Sequence, residues 1–367
     1  MSGAADGNFW DYRLANSYVC QGEESCAPVL RNGAFSVGDN ARIAVIPQVP
    51  AYVSAPVGLA YYSAAIVDDL HKRLGELRHQ QTLPAGDGGE LFVRYIGANL
   101  TYNTDRSFRD FGYDMDIDYS AVQIGGNLIR LDGEQDSLRG GVAFTRGNTR
   151  LRPDAADGFS STTFDSDSLA FYGTWQRNNG FYLDGVLSFD RHRGETDIAQ
   201  QREVANIKGH GWNASLEGGY PWLFANGVRL EPQAQLMVMQ LDMSNFTDKT
   251  NTKVSYDRYN QTIGRLGARL DRSWSDDSLR QYTPYLRANY YRGWGKDAKT
   301  RISAADNDRL GNTFGSGGFG QMAEAGAGGT VTFKNAVSLY TEVDYRHELD
   351  GNGAKGWRYN VGVRWQF

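Results

Sequence analysis

From Glu90 to the C-terminus, apolar and polar residues alternate in runs that are separated by clusters of turn-forming residues. The last run shows the alternation best, with the apolar members Trp357, Tyr359, Val361, Val363, Trp365 and Phe367. The residues between them are Arg358, Asn360, Gly362, Arg364 and Gln366. Because side chains of a strand point alternately to two faces, such a run predicts a strand with one apolar and one polar face.

The pattern predicts twelve strands that are each long enough to cross a bilayer when tilted. We place them at residues 90–103, 113–131, 136–150, 163–178, 180–193, 205–222, 227–245, 254–275, 280–297, 315–334, 335–348 and 356–367. Short turns at 132–135, 178–180, 224–227 and 334–336 alternate with longer polar loops at 104–112, 151–162, 194–204, 246–253 and 298–314. Bacterial outer-membrane barrels segregate their connections in this way. The predicted fold class is therefore all-β, a twelve-stranded antiparallel transmembrane β-barrel with both barrel ends on the side of the short turns.

Residues 57–79 follow a different pattern, because they are rich in Ala and Leu and place Ile66, Leu70 and Leu74 at helical spacing. Pro56 suits the first turn of such a helix. A helix of about 20 residues is about 30 Å long, close to the thickness of a membrane. The segment is too polar to span lipid but would fit a polar barrel lumen. We therefore predict an N-terminal α-helix in the pore, preceded by a few short strands within 8–46.

Composition supports a strand-and-turn protein, since 13% of the 367 residues are aromatic and there are 44 Gly but only 9 Pro. A net charge of −5 and a pI of about 5.6 argue against a general nucleic-acid role. No run of about 18 apolar residues is present, which excludes a membrane-spanning helix. The mean hydropathy of −0.53 does not separate a soluble protein from a barrel, because alternating strands average out.

The two cysteines, Cys20 and Cys26, lie close together in a polar stretch. A small disulfide loop in an oxidising compartment is one interpretation, and two free thiols are the other. Residues 1–5 have neither the basic start nor the apolar core of a signal peptide. Since an outer-membrane barrel needs export, we expect the chain to be a piece of a longer protein.

Several segments resemble the translocator β-domain of autotransporters, the proteins of type V secretion. They are PQVPAYVSAP at 47–56, LHKRLGE at 70–76, SLEGGYPW at 215–222, VRLEPQAQL at 228–236, GRLGARL at 264–270, PYLRANYYRGW at 284–294 and WRYNVGVRWQF at 357–367. The segment WDYRL at 10–14 is similar to the end of an autotransporter passenger. Together these matches run from about residue 47 to the C-terminus in the expected order.

The resemblance implies an outer-membrane translocator that supports export of an N-terminal passenger, with the N-terminal segment towards the cell surface. It assigns residues 1–50 to a passenger remnant and linker, 51–82 to a pore-threading helix and 83–367 to the barrel. The implied partners are outer-membrane lipid and lipopolysaccharide, the barrel-assembly machinery, periplasmic chaperones and the passenger. We expect a monomer with no cofactor and no nucleic acid. The assembly signal is assigned to the C-terminal strand that ends in an aromatic residue, Trp357, Tyr359, Val361, Val363, Trp365 and Phe367.

The pore helix is expected to meet charged residues on the inner face of the wall. The residues of this helix that fall within the LHKRLGE segment include Leu70, Lys72, Arg73 and Leu74. Alternation turns Glu217 towards the lumen, and we predict that it contacts the helix through Lys72 or Arg73, with a merely solvated carboxylate as the alternative. The further lumen candidates are Glu231, Arg265, Arg269, Asp271, Arg287, Glu324, Glu342, Asp344, Arg346, Arg358 and Arg364.

Five tryptophans fall near predicted strand ends and are expected to form interfacial belts, with core packing as the alternative. They are Trp175, Trp222, Trp274, Trp294 and Trp357.

Other functions remain as alternatives: a porin or adhesin-like barrel whose outer loops bind partners, an outer-membrane hydrolase, or a soluble β-sandwich. Several autotransporters release the passenger through an Asn of the pore helix, but residues 57–79 contain no Asn, which argues against self-cleavage. The chain has no G-x-S-x-G or H-E-x-x-H motif. The string GSGGFG at 315–320 lacks the strand-then-helix setting of a nucleotide site. We therefore do not expect an enzyme.

Overall fold

The computed structural model describes residues 18–22, 29–31, 34–36, 40–68, 70–75, 77 and 89–367. Twelve long antiparallel strands form the wall of its main body. They are β1 (Glu90–Asn103), β2 (Asp114–Asp132), β3 (Asp136–Asp154), β4 (Ser160–Arg177), β5 (Tyr182–Ile198), β6 (Gln201–Gly219), β7 (Val228–Met243), β8 (Tyr259–Arg272), β9 (Gln281–Trp294), β10 (Gln321–Thr332), β11 (Val337–Glu348) and β12 (Gly353–Gln366).

The wall closes on itself. Each strand pairs with its neighbours in chain order, and β12 pairs with β1 so that Val363 lies opposite Val93. Closure removes every sheet edge, so all backbone groups at membrane depth find partners within the wall. The predicted twelve-stranded barrel is confirmed.

The short turns lie at one end of the barrel, here called the inner rim, and the opposite end is the outer rim. On β12 the lipid-facing residues Trp357, Val361 and Trp365 are each about half exposed, while Arg358 and Arg364 are buried on the lumen side. Phe367 follows the strand and packs its ring 4.7 Å from that of Trp365. The predicted assignment of the two faces of this strand is confirmed.

The tryptophan positions agree with two belts. Trp222 and Trp274 are about half exposed near the inner rim, and Trp294 and Trp357 are about half exposed near the outer rim. Trp175 is half-buried and donates its indole N–H to Asp136 across the inner rim (3.0 Å). Amphipathic rings at these heights match the two interfaces of a bilayer.

Both faces of the wall change polarity towards the outer rim. On β2 the lipid-facing residues Val122 and Ile124 give way to outward Asp116 and Asp118, while the inward series changes from Gln123 to apolar residues. The inward residues of this outer stretch are Met115, Ile117, Tyr119 and Ala121, all buried. An outward polar and inward apolar wall is the arrangement of a water-exposed sheet around a core. The barrel therefore stands above the lipid with an apolar lumen at that height, and the polar lumen expected from the sequence is found only below it.

The strands also run further outward than the sequence pattern indicated. The predicted loop at 194–204 is almost entirely strand, with only residues 199 and 200 between β5 and β6, and β3 extends to Asp154. The prediction ended these strands too early because it required apolar residues on the outward face. Above the membrane the outward face of a strand carries charged residues instead.

Two other outer connections form a four-stranded sheet, here called the cap sheet. Its strands are Phe246–Thr247, Thr252–Tyr256, Ala298–Ala304 and Asn307–Ser316. The predicted strand at 254–275 is thus divided between this sheet and β8, and the predicted loop at 298–314 is a hairpin. The predicted strand at 315–334 begins only at Gln321. Two short strand pairs extend the inner turns at Trp222–Leu223 and Trp274–Ser275.

The pore segment contains two helices, α1 (Val49–Ile66) and α2 (Leu70–Leu74). The single helix predicted at 57–79 is wrong in its start and in its continuity. Every residue of α1 is buried, as expected of a helix that is apolar on all sides. Among the described residues, no helix is both long enough and apolar enough to cross a membrane.

Pro56 lies inside α1 instead of at its start. A proline has no N–H to donate to the carbonyl four residues earlier, which here belongs to Tyr52. The hydroxyl of Tyr256 in the cap sheet donates to that carbonyl oxygen instead (3.0 Å). A tertiary hydrogen bond therefore satisfies the carbonyl that Pro56 cannot, and this is why the proline is tolerated inside the helix. The sequence alone had indicated a helix start at Pro56.

The N-terminal part contains short strands, as predicted for 8–46. Tyr18–Cys20 pairs with Ala41–Ile43, and Val29–Arg31 pairs with Ala34–Ser36. Cys20 is disulfide-bonded, and Cys26, the other cysteine of the predicted pair, lies outside the described residues. A short 3-10 helix, Phe108–Asp110, lies in the first outer loop.

Candidate functional site in the barrel lumen

The outer zone of the lumen, defined as the part that encloses α1, holds the helix mainly by apolar contacts. The ring of Tyr61 stacks on Phe319 with centroids 4.5 Å apart, and its hydroxyl donates to the Phe319 carbonyl (2.5 Å). Gly58 lies against Leu151 so closely that an added Cβ would come within 2.4 Å of the leucine methyl groups. The helix therefore fits a close-packed sleeve of side chains at this height.

Polar contacts fix α1 at its outer end. The Tyr52 hydroxyl donates to Asp248 in the turn between the first two cap-sheet strands (2.8 Å), and the Gln48 amide donates to the same carboxylate (3.2 Å). Together with the Tyr256 bond to the Tyr52 carbonyl, these contacts tie the cap sheet to the helix. The cap sheet thus helps close the outer end of the lumen over α1.

A buried ion pair holds the chain where it meets the outer rim. Arg42 donates to both carboxylate oxygens of Asp157, at 2.8 and 2.6 Å, and the backbone N–H of Val45 donates to the same group (2.9 Å). The guanidinium lies over the rings of Phe108 and Phe111, 4.5 and 4.4 Å from their centroids. Such a bidentate pair with stacked aromatic rings is specific to arginine. We call these residues the exit clamp.

The end of α1 is capped by the wall. The Ile66 carbonyl accepts hydrogen bonds from Arg94 and Gln123, both at 3.2 Å. These bonds satisfy a carbonyl that has no partner within the helix. Asp68, in the short connection to α2, is bonded to Arg358 of β12. The helix therefore ends where Arg94 and Gln123 of the wall satisfy its last carbonyl.

The inner zone, defined as the part that encloses Asp68 and α2, holds the chain by ion pairs. The Lys72 ammonium lies 2.8 Å from an Asp344 oxygen and 3.3 Å from an Asp68 oxygen. Carboxylate oxygens of Glu342 and Glu324 are 3.6 and 3.8 Å away. Lys72 is thus surrounded by four carboxylates with almost no access to water.

Three wall arginines balance this negative charge. Arg358 and Arg346 donate to Glu324 at 2.8 and 3.0 Å, and Arg287 lies 3.3 Å from Glu342. All these side chains are buried. Buried charges persist only when paired and hydrogen-bonded, so the cluster depends on each member being present.

The Arg73 side chain contacts a different part of the wall from Lys72. Its guanidinium lies 2.6 Å from Asp184 of β5 and 4.6 Å from the centre of the Tyr172 ring. Thr174 donates to the same Asp184 oxygen (2.6 Å). The two adjacent cations of the pore segment are thereby anchored to different strands, which fixes the rotation of α2.

Glu217 accepts a hydrogen bond from the backbone N–H of Leu70 at the start of α2 (3.1 Å). Tyr182 also donates to this carboxylate (2.5 Å), and Arg265 lies 3.4 Å from it. A carboxylate at the first N–H of a helix is stabilised by the local positive potential. The structure thus shows a contact between Glu217 and the pore segment through the backbone of Leu70.

The last carbonyls of α2 are satisfied by the wall as well. Asn360 donates to the Lys72 carbonyl (2.8 Å), and the Tyr340 hydroxyl donates to the Arg73 carbonyl (2.5 Å). Gly75 follows in the left-handed region with φ of +70° and lies against the Tyr340 ring. This is the usual way to end a helix, and a side chain at Gly75 would be strained.

The remaining predicted lumen residues are all buried. Arg269 pairs with Asp271 (3.0 Å) and lies over Tyr285, and Glu231 accepts a hydrogen bond from Gln233 (2.7 Å). Arg364 lies 3.9 Å from Glu90 at the inner rim. The buried side chains include those of Leu70 and Leu74 on α2.

Sequence reasoning missed several residues that hold the pore segment. They are Arg42, Asp157, Arg94, Gln123, Asp184 and Tyr340. Strict alternation places Arg94 and Asp184 on the lumen side, so the strand pattern could have identified these two as lumen residues. The partners of Arg42 come from two different outer loops, and no spacing in the sequence indicates that they meet.

A closed barrel with a lipid-facing apolar band, two aromatic belts and a helix in its lumen defines a transmembrane barrel of the bacterial outer membrane. The model of the autotransporter β-domain family matches residues 91–344. The chain belongs to this family.

Known proteins match most of this chain. The pertactin autotransporter of Bordetella bronchiseptica (strain ATCC BAA-588 / NCTC 13252 / RB50) is 28% identical over 308 residues, which cover 81% of this chain and 30% of pertactin. The crystal structure of the transport unit of the autotransporter AIDA-I from Escherichia coli matches with a TM-score of 0.67 at 17% identity, covering 87% of this chain and 99% of that chain. The translocator domain of the autotransporter NalP from Neisseria meningitidis matches with a TM-score of 0.61 at 14% identity, covering 87% and 100%. The chain therefore spans less than a third of the length of pertactin.

Proposed function

We propose that this chain is the translocator of a longer protein, which it anchors in the outer membrane while supporting export of an N-terminal passenger to the cell surface. In this proposal residues 1–50 are the passenger remnant and linker, 51–82 thread the pore and 83–367 form the barrel. One observation carries it: the described chain passes the exit clamp at the outer rim, runs down the lumen through α1 and α2, and enters β1 at the inner rim. Any segment before Arg42 therefore starts on the outer side.

In this proposal the contacts of the pore segment belong to the state after export. The apolar outer zone and the ionic inner zone close the lumen around one polypeptide, so the barrel anchors the passenger without leaving an open pore. We propose that folding of the passenger outside the cell, together with the assembly machinery, drives the transfer.

The partners follow from the same reasoning. The C-terminal strand, with its outward aromatic series and terminal Phe367, supports recognition by the barrel-assembly machinery, and periplasmic chaperones would deliver the unfolded chain. The lipid-facing band supports contact with outer-membrane lipid and lipopolysaccharide. A closed wall has no edge on which to oligomerise, which supports a monomer.

The test is surface exposure of the N-terminus. A signal peptide and an epitope tag are placed before Phe9, the chain is produced in a Gram-negative host, and intact cells are treated with protease. We expect loss of the tag while a heat-modifiable barrel survives in the outer membrane. A tag of the same sequence in the inner turn at 133–135 is the control and should stay protected.

Two results would contradict the proposal. A barrel that inserts but keeps its N-terminal tag protected would make the pore segment a mere plug. Single-channel recordings dominated by a wide open state would favour a porin instead.

A further inference from the structure

The outward face of β3 to β6 changes from aromatic to cationic between two successive rows of residues. The last lipid-facing row is Phe144, Leu169, Phe189 and Trp212, which lie opposite one another in register. The next row outward is Arg146, Asp167, Arg191 and His210, and the row after it is Asn148, Asp165, Arg193 and Lys208. We call these two charged rows the cationic strip. It begins where the lipid band ends.

The carboxylates of the strip are already engaged. Asp167 lies between Arg146 (3.8 Å) and Arg193 (3.5 Å), and Asp165 accepts a hydrogen bond from Asn148 (2.9 Å). Arg191 and Lys208, within the part of the chain that the structure describes, have no ion-pair partner. The strip therefore presents more positive charge than its own acidic residues neutralise.

The strip also contains a concave site. A surface cavity of about 560 Å³ is lined by the cations Arg146, Arg193 and Lys208 and the carboxylates Asp165 and Glu195, with Thr163, Gly194, Asn206 and Ile207 between them. The Arg146 and Arg193 side chains are 72% and 59% exposed, so their guanidinium groups can contact a ligand from solvent in addition to Asp167. This volume falls within the range of pockets that hold small-molecule ligands.

We propose that the cationic strip binds the phosphorylated saccharide head group of a glycolipid of the outer leaflet, a lipopolysaccharide. Arg193 and Lys208 would donate to its phosphates, while its acyl chains lie on the aromatic row one step below. Guanidinium and ammonium groups are the donors that proteins use for phosphate. The continuity of the strip with the lipid band favours a membrane lipid over a soluble anion.

This inference rests on the proposed contact with outer-leaflet lipid, and binding is measured separately from export. The full chain, folded in detergent, is titrated with purified lipopolysaccharide, with the same material after phosphate removal, and with phosphatidylglycerol in mixed micelles of the same detergent. Arg193→Gln combined with Lys208→Gln should weaken binding of intact lipopolysaccharide about tenfold or more, since two charge-assisted hydrogen bonds are lost. The wild-type affinity for the dephosphorylated material should be lowered to a similar extent.

The control removes the same charge elsewhere. Arg177→Gln combined with Arg272→Gln changes two exposed arginines near the inner rim and should leave the affinity for lipopolysaccharide unchanged. Equal affinity of the wild type and the strip variant would overturn the proposal, and so would equal binding of the dephosphorylated glycolipid. An equal loss of phosphatidylglycerol binding would reduce the strip to a general anionic-lipid contact.

The export assay separates the two ideas. A strip variant with normal affinity but a protease-accessible N-terminal tag refutes only the lipid site. A protected tag in the wild type refutes only the translocator proposal.

Discussion

The outer and inner zones of the lumen enclose consecutive parts of the same chain, yet their chemistry is opposite. In the outer zone α1 is apolar on every side and lies among residues such as Leu151 and Phe319. In the inner zone Lys72 and Arg73 of α2 are held by buried carboxylates. The change from apolar to ionic contacts in the lumen lies close to the height at which the outer face of the barrel wall changes from charged to apolar.

The outside of the barrel explains this difference. Above the lipid the wall has water on its outer face and can bury apolar residues inside, as a soluble protein does. Within the lipid the outward positions must be apolar, and the inward positions carry the polar residues that alternate with them. An apolar side chain can pack against many different neighbours, whereas a buried ion pair is formed only when the pore segment lies in one register relative to the wall. The inner zone therefore determines where the pore segment stops.

The largest effect is expected where an ion pair of the inner zone is broken. Lys72→Met leaves four buried carboxylates without their central cation, which should destabilise the closed state by about 3–5 kcal/mol. Single-channel recording should show a much larger open fraction, and denaturant unfolding should occur at a lower concentration.

A second variant tests whether uncompensated charge is the cause. Adding Asp344→Asn to Lys72→Met removes the nearest carboxylate and should restore part of the lost stability. Lys355→Met, which removes a half-exposed lysine, is the control and should behave as the wild type. If Lys72→Met opens the channel no more often than Lys355→Met, the ionic inner zone does not hold the pore segment.

The outer zone should respond to volume instead of charge. Gly58→Val places methyl groups on Leu151 and should cost about 1–3 kcal/mol, as other overpacked cores do. Adding Leu151→Ala makes room and should recover part of that loss, as a double-mutant cycle on unfolding free energies would show. Additive effects of the two substitutions would mean that Gly58 and Leu151 are not packed against each other.

The sequence was informative where the environment of a residue depends on alternation alone. The twelve strands and the two faces of β12 followed directly from that pattern. It failed where two distant segments meet: Pro56 looked like a helix start because its compensating donor, Tyr256, is 200 residues away. The cap hairpin at 298–316 looked like a loop because its outward residues are charged. Glu217 was placed on the correct face, but its contact with the Leu70 N–H depends on where α2 begins.

A smaller effect is expected at the junction of α1 with the cap sheet. Tyr256→Phe removes the donor to the Tyr52 carbonyl and leaves it unsatisfied, at a cost of about 1–2 kcal/mol. In a Pro56→Ala background the helix supplies its own N–H, so the same substitution should cost clearly less. Unfolding measurements on all four proteins would show this coupling. Equal costs in both backgrounds would show that Tyr256 does not compensate for Pro56.

The smallest effect is expected at an exposed ion pair of the cap sheet, which contrasts with the buried pairs of the inner zone. Lys253 donates to Asp308 (3.1 Å), and this hydrogen bond lowers the pKa of the Asp308 carboxyl below its ordinary value, with a weaker contribution from Ser303. A carboxyl with a lowered pKa in the folded state stabilises that state above its ordinary pKa, and the contribution is lost as the pH falls through the lowered value. Lys253→Ala should return the pKa of Asp308 towards its ordinary value, as NMR titration of the carboxyl would show. It should leave the channel closed, because solvent-exposed pairs contribute little. An open fraction as large as that of Lys72→Met would show that the cap sheet, and not the inner zone, determines whether the lumen stays closed.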